Sequence, residues 1–240
     1  MGKVIVIISS KGGSGGSFTA AGLGVSLSKR GKSVLVIDCC TGMRSIDLML
    51  GVSDRLVFDS GDVLSGGCHI SDAVYPSDFA DGLYVMPAPL EEDISVSAEN
   101  LKHLLDTLSD SYEYVLADCH AGDLAYGLSR YFRTIIVAQA GPLSVRCGNR
   151  VFMKCREHCG NDIRLVISRF DEKGFFSSAC FSDLDEVIDK VGARLLGIVP
   201  EDEVLGLAFE KGLPLKDKSK SVYALDRIAA RIDGIDIPLF

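Results

Sequence analysis

The stretch IISSKGGSGGSFT, residues 7–19, joins an apolar run to a glycine-rich loop and then to a helical pattern. Residues 3–8, KVIVII, are apolar after the lysine, as expected of a strand covered on both faces. Residues 17–31, SFTAAGLGVSLSKRG, carry apolar side chains at helical spacing and end at Gly31. This order of strand, glycine loop and helix predicts a phosphate-binding loop.

The glycines of this loop let successive backbone N–H groups point into one concavity, and the helix that follows adds its positive dipole end. A flexible glycine turn without a ligand is the alternative. The position between a buried strand and an amphipathic helix favours phosphate binding. The candidate nucleotide-binding residues of the loop are Lys11, Gly12, Gly13, Ser14, Gly15, Gly16, Ser17 and Phe18.

Apolar runs and helical patterns alternate along the rest of the chain. The further predicted strands are residues 33–38, 83–88, 112–118, 134–139, 163–168 and 195–200, and the further predicted helices are residues 98–108, 144–157, 181–191 and 221–232. Such alternation predicts an α/β fold, a single P-loop NTPase-like domain over residues 1–240 with a mostly parallel twisted β-sheet and helices on both faces. Ligands of such sheets bind beyond the carboxyl ends of the strands.

Composition excludes several classes of protein. The 240 residues are 47% hydrophobic and carry a formal net charge of −8, without a basic run that would mark nucleic-acid binding. The first strand leaves no room for a signal peptide, and no stretch approaches 18 apolar residues. We therefore expect a cytoplasmic protein, which a partner could hold at the cell periphery.

Eight cysteines are spread through the chain, and we interpret them as reduced structural thiols. The best metal candidate among them is CREHC, with Cys155, His158 and Cys159, but no second ligand pair of matching spacing follows it. A redox pair of Cys39 with Cys40 is disfavoured because a disulfide between adjacent cysteines is strained.

Two acids follow predicted strands on either side of the glycine loop. Asp38 ends the second strand and Asp118 ends the fourth. Carboxylates beside a phosphate loop are what a Mg²⁺ site requires, with the Ser17 hydroxyl as a further ligand. The sequence therefore predicts Mg²⁺ at Ser17, Asp38 and Asp118.

At several ordered segments the chain resembles the MinD/ParA family of deviant Walker A ATPases, and its MinD branch most. Residues 11–17 match K-G-G-x-G-K-[ST] except at Gly16. Residues 36–51, VIDCCTGMRSIDLMLG, resemble the switch I segment, and residues 112–122, YEYVLADCHAG, resemble the Walker B strand and switch II. The remaining matches are residues 143–151, 167–171 and 195–215, of which the last two resemble the segments beside the adenine base.

The resemblance implies an ATP-driven switch that dimerises around ATP and Mg²⁺. Lys11 would be the signature lysine that reaches the partner's phosphates, and Asp38 and Asp118 would organise metal and water. Arg169, Pro200 and Glu201 would flank the base. The dimer would be homotypic or formed with an intact relative, and its role would lie in cell division, spatial positioning or partitioning.

Four departures from the pattern concentrate where hydrolysis takes place. Gly16 replaces the lysine that neutralises the β- and γ-phosphates, and Cys40 replaces the acid that helps to position water. His120 replaces a proline, and Cys147 an acid. A hydrogen bond to a charged group contributes roughly 1.5–3 kcal/mol, so ATP binding should weaken about ten- to a hundredfold. Hydrolysis should suffer far more, since it depends on transition-state electrostatics.

The interpretation that follows is a nucleotide-binding switch or scaffold with weakened or absent hydrolysis. The alternative is an active ATPase in which Lys11 or another basic residue, Arg44 or Arg146, supplies the missing charge. An amidotransferase-type ATPase would need a substrate-activating segment, which is not recognisable. Residues 221–232 read as a core-packing helix, so we expect no C-terminal membrane-targeting helix of the MinD kind.

Overall fold

The first apolar run forms strand β1, Lys3–Ser9, in the interior of the sheet. Its side chains alternate between two hydrophobic cores, with Ile5 and Ile7 on one face and Val6 and Ile8 on the other. All four are buried, which explains why the run is continuously apolar. The computed structural model describes residues 2–90, 96–160, 162–214 and 219–238.

Within the described ranges the sheet has eight strands, in the order β3-β4-β2-β5-β1-β6-β7-β8. The strands after β1 are β2 (Val34–Asp38), β3 (Tyr75–Pro76), β4 (Leu83–Met86), β5 (Tyr114–His120), β6 (Arg133–Ala138), β7 (Ile163–Phe170) and β8 (Arg194–Pro200). All pairings are parallel except that of β3 with β4. The predicted α/β class and its seven strands are confirmed, whereas two-residue β3 is too short to leave a pattern.

The helices cover both faces of this sheet. They are α1 (Gly16–Lys29), α2 (Ile46–Met49), α3 (Ser60–Ser65), α4 (Ala98–Ser109), α5 (Asp123–Leu128), α6 (Pro142–Glu157), α7 (Glu172–Ser178), α8 (Leu184–Val191), α9 (Glu203–Glu210) and α10 (Lys220–Ile232), with 3₁₀ turns at Ser53–Arg55 and Ile70–Ala73. The predicted helix over residues 181–191 begins later than expected, because the Asp183 side chain caps it by accepting from the Glu186 N–H.

Helices α1 and α10 share one core, and α4, α6 and α8 share the other. Leu225 and Ile228 of α10 are buried against the sheet, which confirms the prediction of a core-packing helix there. Among the described helices, none combines the length and the apolar character needed to cross a membrane. The predicted base-side segment over residues 195–215 ends at Leu215, which lies outside the described residues.

The topology places the carboxyl end of β1 at a switch point. The chain leaves β1 through α1 to reach β2, and β5 later fills the place between them, while β6 and β7 extend the opposite side. Crevices at such points are where ligands of open parallel sheets bind. The glycine loop therefore lies at the expected position.

Gly22 allows close contact between α1 and α10, and we predict a loss of stability when it is enlarged. A Cβ at Gly22 would lie 2.5 Å from Leu225 Cδ1, so Gly22→Ala should lower the free energy of unfolding by about 1–3 kcal/mol. Gly206 of α9 is the matched control, since its Cβ would meet nothing within 4 Å. Gly206→Ala should stabilise by up to about 1 kcal/mol. Equal destabilisation of both variants in urea unfolding would contradict the packing argument.

Candidate functional site

The glycine loop turns tightly before it enters α1. The Ser14 N–H donates to the Lys11 carbonyl at 3.1 Å, and the Lys11 N–H donates to Ser14 Oγ at 3.1 Å. Gly15 adopts a left-handed conformation with φ of 87°, which a residue with a side chain rarely adopts. The left-handed backbone of Gly15 therefore lets the chain turn from the loop into the first turn of α1.

The amino end of α1 carries backbone donors that the protein leaves open. Gly15 is the N-cap and provides no capping side chain. Within the described chain, the N–H groups of Gly15, Gly16 and Ser17 have no backbone acceptor. Unpaired N–H groups and the positive helix end together form an anion site, which agrees with the predicted phosphate cradle.

A buried network of serines supports the loop from below. Ser10 Oγ lies 2.9 Å from Ser14 Oγ and 3.1 Å from Ser144 Oγ, which in turn accepts from the Gln139 N–H at 2.9 Å. The Ser168 hydroxyl donates to the Ser14 carbonyl. Sequence reasoning assigned Ser14 to the nucleotide and missed this network, whose only signal is serines at several strand ends. The Ser14 side chain is buried and points inward, which leaves only its backbone for a ligand.

The two predicted acids lie side by side. Asp38 of β2 and Asp118 of β5 are paired in the parallel ladder, and their exposed fractions are 0% and 1%. Burial and then the charge of the neighbouring Asp38 raise the pKa of Asp118, the Ser17 side chain lowers it, and the net pKa is about 7. Burial likewise raises the pKa of Asp38. Burial and the adjacent carboxyl group thus disfavour ionisation of both acids at the same time.

Asp38 also organises the backbone that follows β2. Its Oδ1 accepts from the Cys40 N–H at 2.9 Å, and its Oδ2 accepts from the N–H groups of Ser45 and Ile46 at 2.9 and 3.2 Å. These hydrogen bonds stabilise the ionised carboxylate and lower its pKa against burial. Asp38 is therefore a structural anchor of the switch-like segment as well as a candidate metal-site residue.

Gly16 stands directly over the acid pair. A Cβ built there would lie 2.0 Å from Ser9 Oγ and 3.5 Å from Asp118 Oδ1. Because a hydroxyl rotates about a single bond, Ser9 can vacate this space. A side chain at this position would thus start toward Ser9 and Asp118, and glycine leaves the position without a cation.

Two basic residues that could substitute for that cation have other partners in this structure. Lys11 Nζ is exposed and lies 3.4 Å from the Gly12 carbonyl. Arg44 pairs with the buried carboxylate of Asp47, with Nε 3.0 Å from Oδ2. Neither pairs with Asp38 or Asp118 in the described part of the chain.

Cys40 completes the cluster around the acids. Its exposed fraction is 3%, and its Sγ lies 3.6 Å from the Asp118 carbonyl oxygen. Burial and then the charges of Asp118 and Asp38 hold the pKa of the Cys40 thiol far above its usual range. A neutral thiol cannot act as the water-positioning acid that the family motif carries at this place.

The predicted base-side residues line a cleft at the carboxyl ends of β6, β7 and β8. The cleft has a volume of about 350 Å³, and Arg169 and Glu201 lie in its wall, joined by a contact of 2.9 Å between Nε and Oε2. Gln139 links the cleft to the loop, since its Nε2 donates to the Gly13 carbonyl at 3.2 Å. A volume of this size accommodates a nucleobase.

Two predicted nucleotide contacts have structural partners instead. Phe18 packs edge-on against Phe209, with ring centroids 5.1 Å apart, so its side chain faces the core. The Pro200 carbonyl accepts from Ser221 Oγ at 3.0 Å, which fixes the end of β8 to α10. For both residues only the backbone or a ring edge remains for contact with a ligand.

The residues present fit a bound cation at the acid pair. Asp118 Oδ2 is buried and has no hydrogen-bond partner in the described structure. An orphaned carboxylate oxygen beside an anion cradle is suited to Mg²⁺ or one of its waters, because hard cations prefer oxygen ligands. Mg²⁺ would be held by the Ser17 hydroxyl, Asp38 and Asp118, and it would supply positive charge next to a bound phosphate.

All eight cysteines are free thiols. Cys155 is buried, Cys159 is exposed, and neither belongs to the one group of potential metal ligands found among the described residues. Hydrogen bonding to the Cys119 thiol and then burial hold the pKa of the Cys39 thiol well above its usual range, and the neighbouring Cys40 acts in the same direction.

Residues 5–215 match the family described as the CobQ/CobB/MinD/ParA nucleotide binding domain. The chain is 33% identical over 247 residues to the septum site-determining protein MinD of Bacillus subtilis, covering 100% of this chain and 92% of that protein. Its identity to the septum site-determining protein MinD of Synechocystis is 32% over 245 residues, with coverage of 99% and 92%.

Solved structures of similar proteins superpose along the whole fold. The MinC:MinD cell division protein complex of Aquifex aeolicus contains a chain with a TM-score of 0.90 and 29% identity, covering 99% of this chain and 98% of that chain. MinD of Pyrococcus horikoshii, complexed with Mg-ADP, gives a TM-score of 0.84 at 27% identity, with coverage of 97% and 96%.

Proposed function

This chain belongs to the CobQ/CobB/MinD/ParA family of nucleotide-binding domains, and from that premise we propose that it is an ATP-binding switch or scaffold with weakened or absent hydrolysis. Its role lies in cell division or spatial positioning, as the names of its MinD relatives suggest. The observation that carries the proposal is the bare Gly16 above two buried acids, beside a loop whose backbone donors remain open.

Binding and hydrolysis draw on different parts of this site. Binding uses the N–H groups of the loop, the end of α1 and the cleft beside Arg169, all of which are present. Hydrolysis needs a positive group that stabilises the negative charge developing in the transition state of phosphoryl transfer. It also needs a water molecule held in position for attack. Gly16 and Cys40 supply neither, so occupancy rather than turnover sets the state of the protein.

The related MinD chain in complex with Mg-ADP supports ATP and Mg²⁺ as ligands of this chain. The Ser17 hydroxyl and the orphaned Asp118 oxygen would hold the ion. The ion supplies positive charge to the phosphates, and the chain's own residues orient it and exclude bulk water. Loss of the lysine at position 16 should weaken ATP about ten- to a hundredfold relative to a chain that carries it.

The experiment that tests this function is a Mg²⁺-dependent titration of a fluorescent ATP analogue, with phosphate release followed in the same samples. We expect saturable binding with little or no release. Gly15→Val is a control that should abolish binding, since φ of 87° disfavours a β-branched residue. Release at the rate of an intact relative measured in parallel would overturn the proposal, as would absence of binding at millimolar ATP.

We further propose that Lys11 acts across a dimer, because its exposed ammonium group contacts only the Gly12 carbonyl among described atoms. Lys11→Ala should therefore leave the folded monomer intact and reduce ATP-dependent dimerisation at least about tenfold, as expected for the loss of one charge-assisted contact. Sedimentation with and without ATP measures the effect. Lys29→Ala, at the far end of α1, is the control, and equal loss in both variants would count against Lys11.

A partner protein is expected on the same grounds. The similar MinD of Aquifex aeolicus is found in a complex with MinC. An ATP-dependent dimer of this chain, with itself or with an intact relative, would offer one composite surface to such a partner. Pull-down of the native chain with ATP, compared with Lys11→Ala under the same conditions, would show whether the partner follows the dimer.

A further inference from the structure

The cluster of Asp38, Cys40 and Asp118 has the geometry of a cation site in its own right. One ligand atom from each residue, two carboxylate oxygens and one sulfur, lies within 4.8 Å of the other two. Ligand atoms around a tetrahedral zinc ion are about 3.5 Å apart, so small side-chain movements would close the cluster around an ion. All three residues are buried.

The charge of the cluster is uncompensated within the described chain. No described lysine or arginine pairs with either acid, and Asp118 Oδ2 has no partner at all. Gly16 brings no side chain to this place, where a Cβ would lie 3.5 Å from Asp118 Oδ1 and would meet Ser9 Oγ at 2.0 Å. A buried carboxylate without a counter-charge is costly, and a cation or a proton must offset it.

The sulfur decides which cation fits. Mg²⁺ and Ca²⁺ take oxygen ligands, whereas a thiolate with carboxylates favours zinc and other thiophilic divalent ions. Cys40 Sγ lies in one cluster with a carboxylate oxygen of each acid. Metal-bound thiols are ionised at neutral pH, so a bound cation would hold this sulfur as a thiolate.

We propose that Asp38, Cys40 and Asp118 form a binding site for a thiophilic divalent cation of the Zn²⁺ type, beside Gly16. On binding, the Cys40 S–H bond breaks, its proton passes to solvent and an S–metal bond forms, without change of oxidation state. The ion binds without nucleotide, whereas Mg²⁺ is usually bound by one or two carboxylates together with substrate phosphates and waters.

This inference rests on the proposed function only in its location, because the ion would occupy the acid side of the same site. In the metal-loaded protein this cation would take the place at Asp38 and Asp118 that the proposed function gives to Mg²⁺, so the acid pair would already be neutralised when ATP binds. A bound ion would leave open positions for water or for a phosphate oxygen, since three protein ligands do not fill a tetrahedral shell.

Co²⁺ is the probe, because a Co²⁺–thiolate bond gives a charge-transfer absorption band that carboxylates do not give. The full-length reduced protein, freed of metal and nucleotide, is titrated with Co²⁺ and then with Zn²⁺ or Mg²⁺ as competitor. We expect one tight equivalent with the thiolate band, displaced by Zn²⁺ and retained in a thousandfold excess of Mg²⁺. Cys40→Ser should remove the band and lower the affinity more than about 100-fold, beyond the usual effect of an outer-shell change.

Cys39→Ser is the matched control, since Cys39 is the adjacent thiol and does not belong to the ligand cluster found among the described residues. It should keep the band. Cys40→Asp covers the case in which Cys40→Ser fails to fold, and it should keep a cation site but lose the band and the preference for Zn²⁺ over Mg²⁺. The proposal is overturned if the native protein shows no band, if the band survives Cys40→Ser, or if Cys39→Ser abolishes it.

A nucleotide titration on the same preparations separates the two proposals. Binding of the ATP analogue by a chain that lacks the Co²⁺ band would overturn the cation site and leave the proposed function standing. A Co²⁺ band that depends on Cys40, in a chain that binds no nucleotide, would support the cation site and overturn the proposed function.

Discussion

A chain carrying Gly16→Lys and Cys40→Asp together is expected to hydrolyse ATP about 10³-fold or more faster than the native chain. The positive charge of the lysine would stabilise the negative charge that develops on the phosphates in the transition state. The aspartate would orient the attacking water. Positioned charges of this kind account for factors of about 10³–10⁵ in phosphoryl transfer. Phosphate release under saturating ATP and Mg²⁺ measures the effect.

The lysine must first find room beside Ser9. Its Cβ would lie 2.0 Å from Ser9 Oγ and 3.2 Å from Ser9 Cβ, so the hydroxyl has to rotate and the backbone to relax slightly. Adding Ser9→Ala to the double variant removes the closer contact. Gly16→Met with Cys40→Asp is the matched control, because it has a side chain of similar length without charge. Equal rates for the methionine and lysine variants would refute the electrostatic explanation.

Asp118→Asn should change the pH dependence of stability more than any other single substitution in the site. The pKa of Asp118 rises from 3.8 to about 7 on folding, so the folded state holds a proton that the unfolded state has lost between these values. Stability therefore falls as pH rises from about 4 to about 7 and stays low above it. A shift of this size corresponds to about 4 kcal/mol.

The asparagine variant lacks this titration, so its free energy of unfolding should be higher than the native value at pH 8 and should depend less on pH. Urea unfolding between pH 5 and pH 8, in chelator, measures both quantities. Asp38 also titrates with a raised pKa, and the curve reports the pair rather than one acid. Asp189→Asn, an exposed acid of α8, is the control. A native curve that rises from pH 5 to pH 8 would contradict the sign of the argument.

The sequence was sufficient to predict the sheet because its buried strands are continuous apolar runs, of which residues 3–8 are the plainest example. Helices with a strong apolar stripe, such as α4, were also predictable. The short helices α2, α3 and α5 were not, since four to six residues are too few to show a period and depend on tertiary contacts.

Within the site, the sequence indicated which residues meet but not how their side chains point. Asp38 ends β2 and Asp118 lies near the end of β5, and the two acids meet because these strands are neighbours in the parallel ladder. The inward turn of Ser14 and the packing of Phe18 depend on partners distant in sequence, Ser144 and Phe209. A motif assigns residues to a loop, whereas long-range packing decides which face each side chain presents.

The three hydrogen bonds that Asp38 accepts from the backbone of Cys40, Ser45 and Ile46 have a kinetic consequence. The segment they hold is already ordered before any ligand binds, so its amide protons should exchange slowly with solvent in the empty protein. Any rearrangement of this segment must break these three hydrogen bonds. We therefore expect the rate at which they break to limit the rate at which the segment can change conformation.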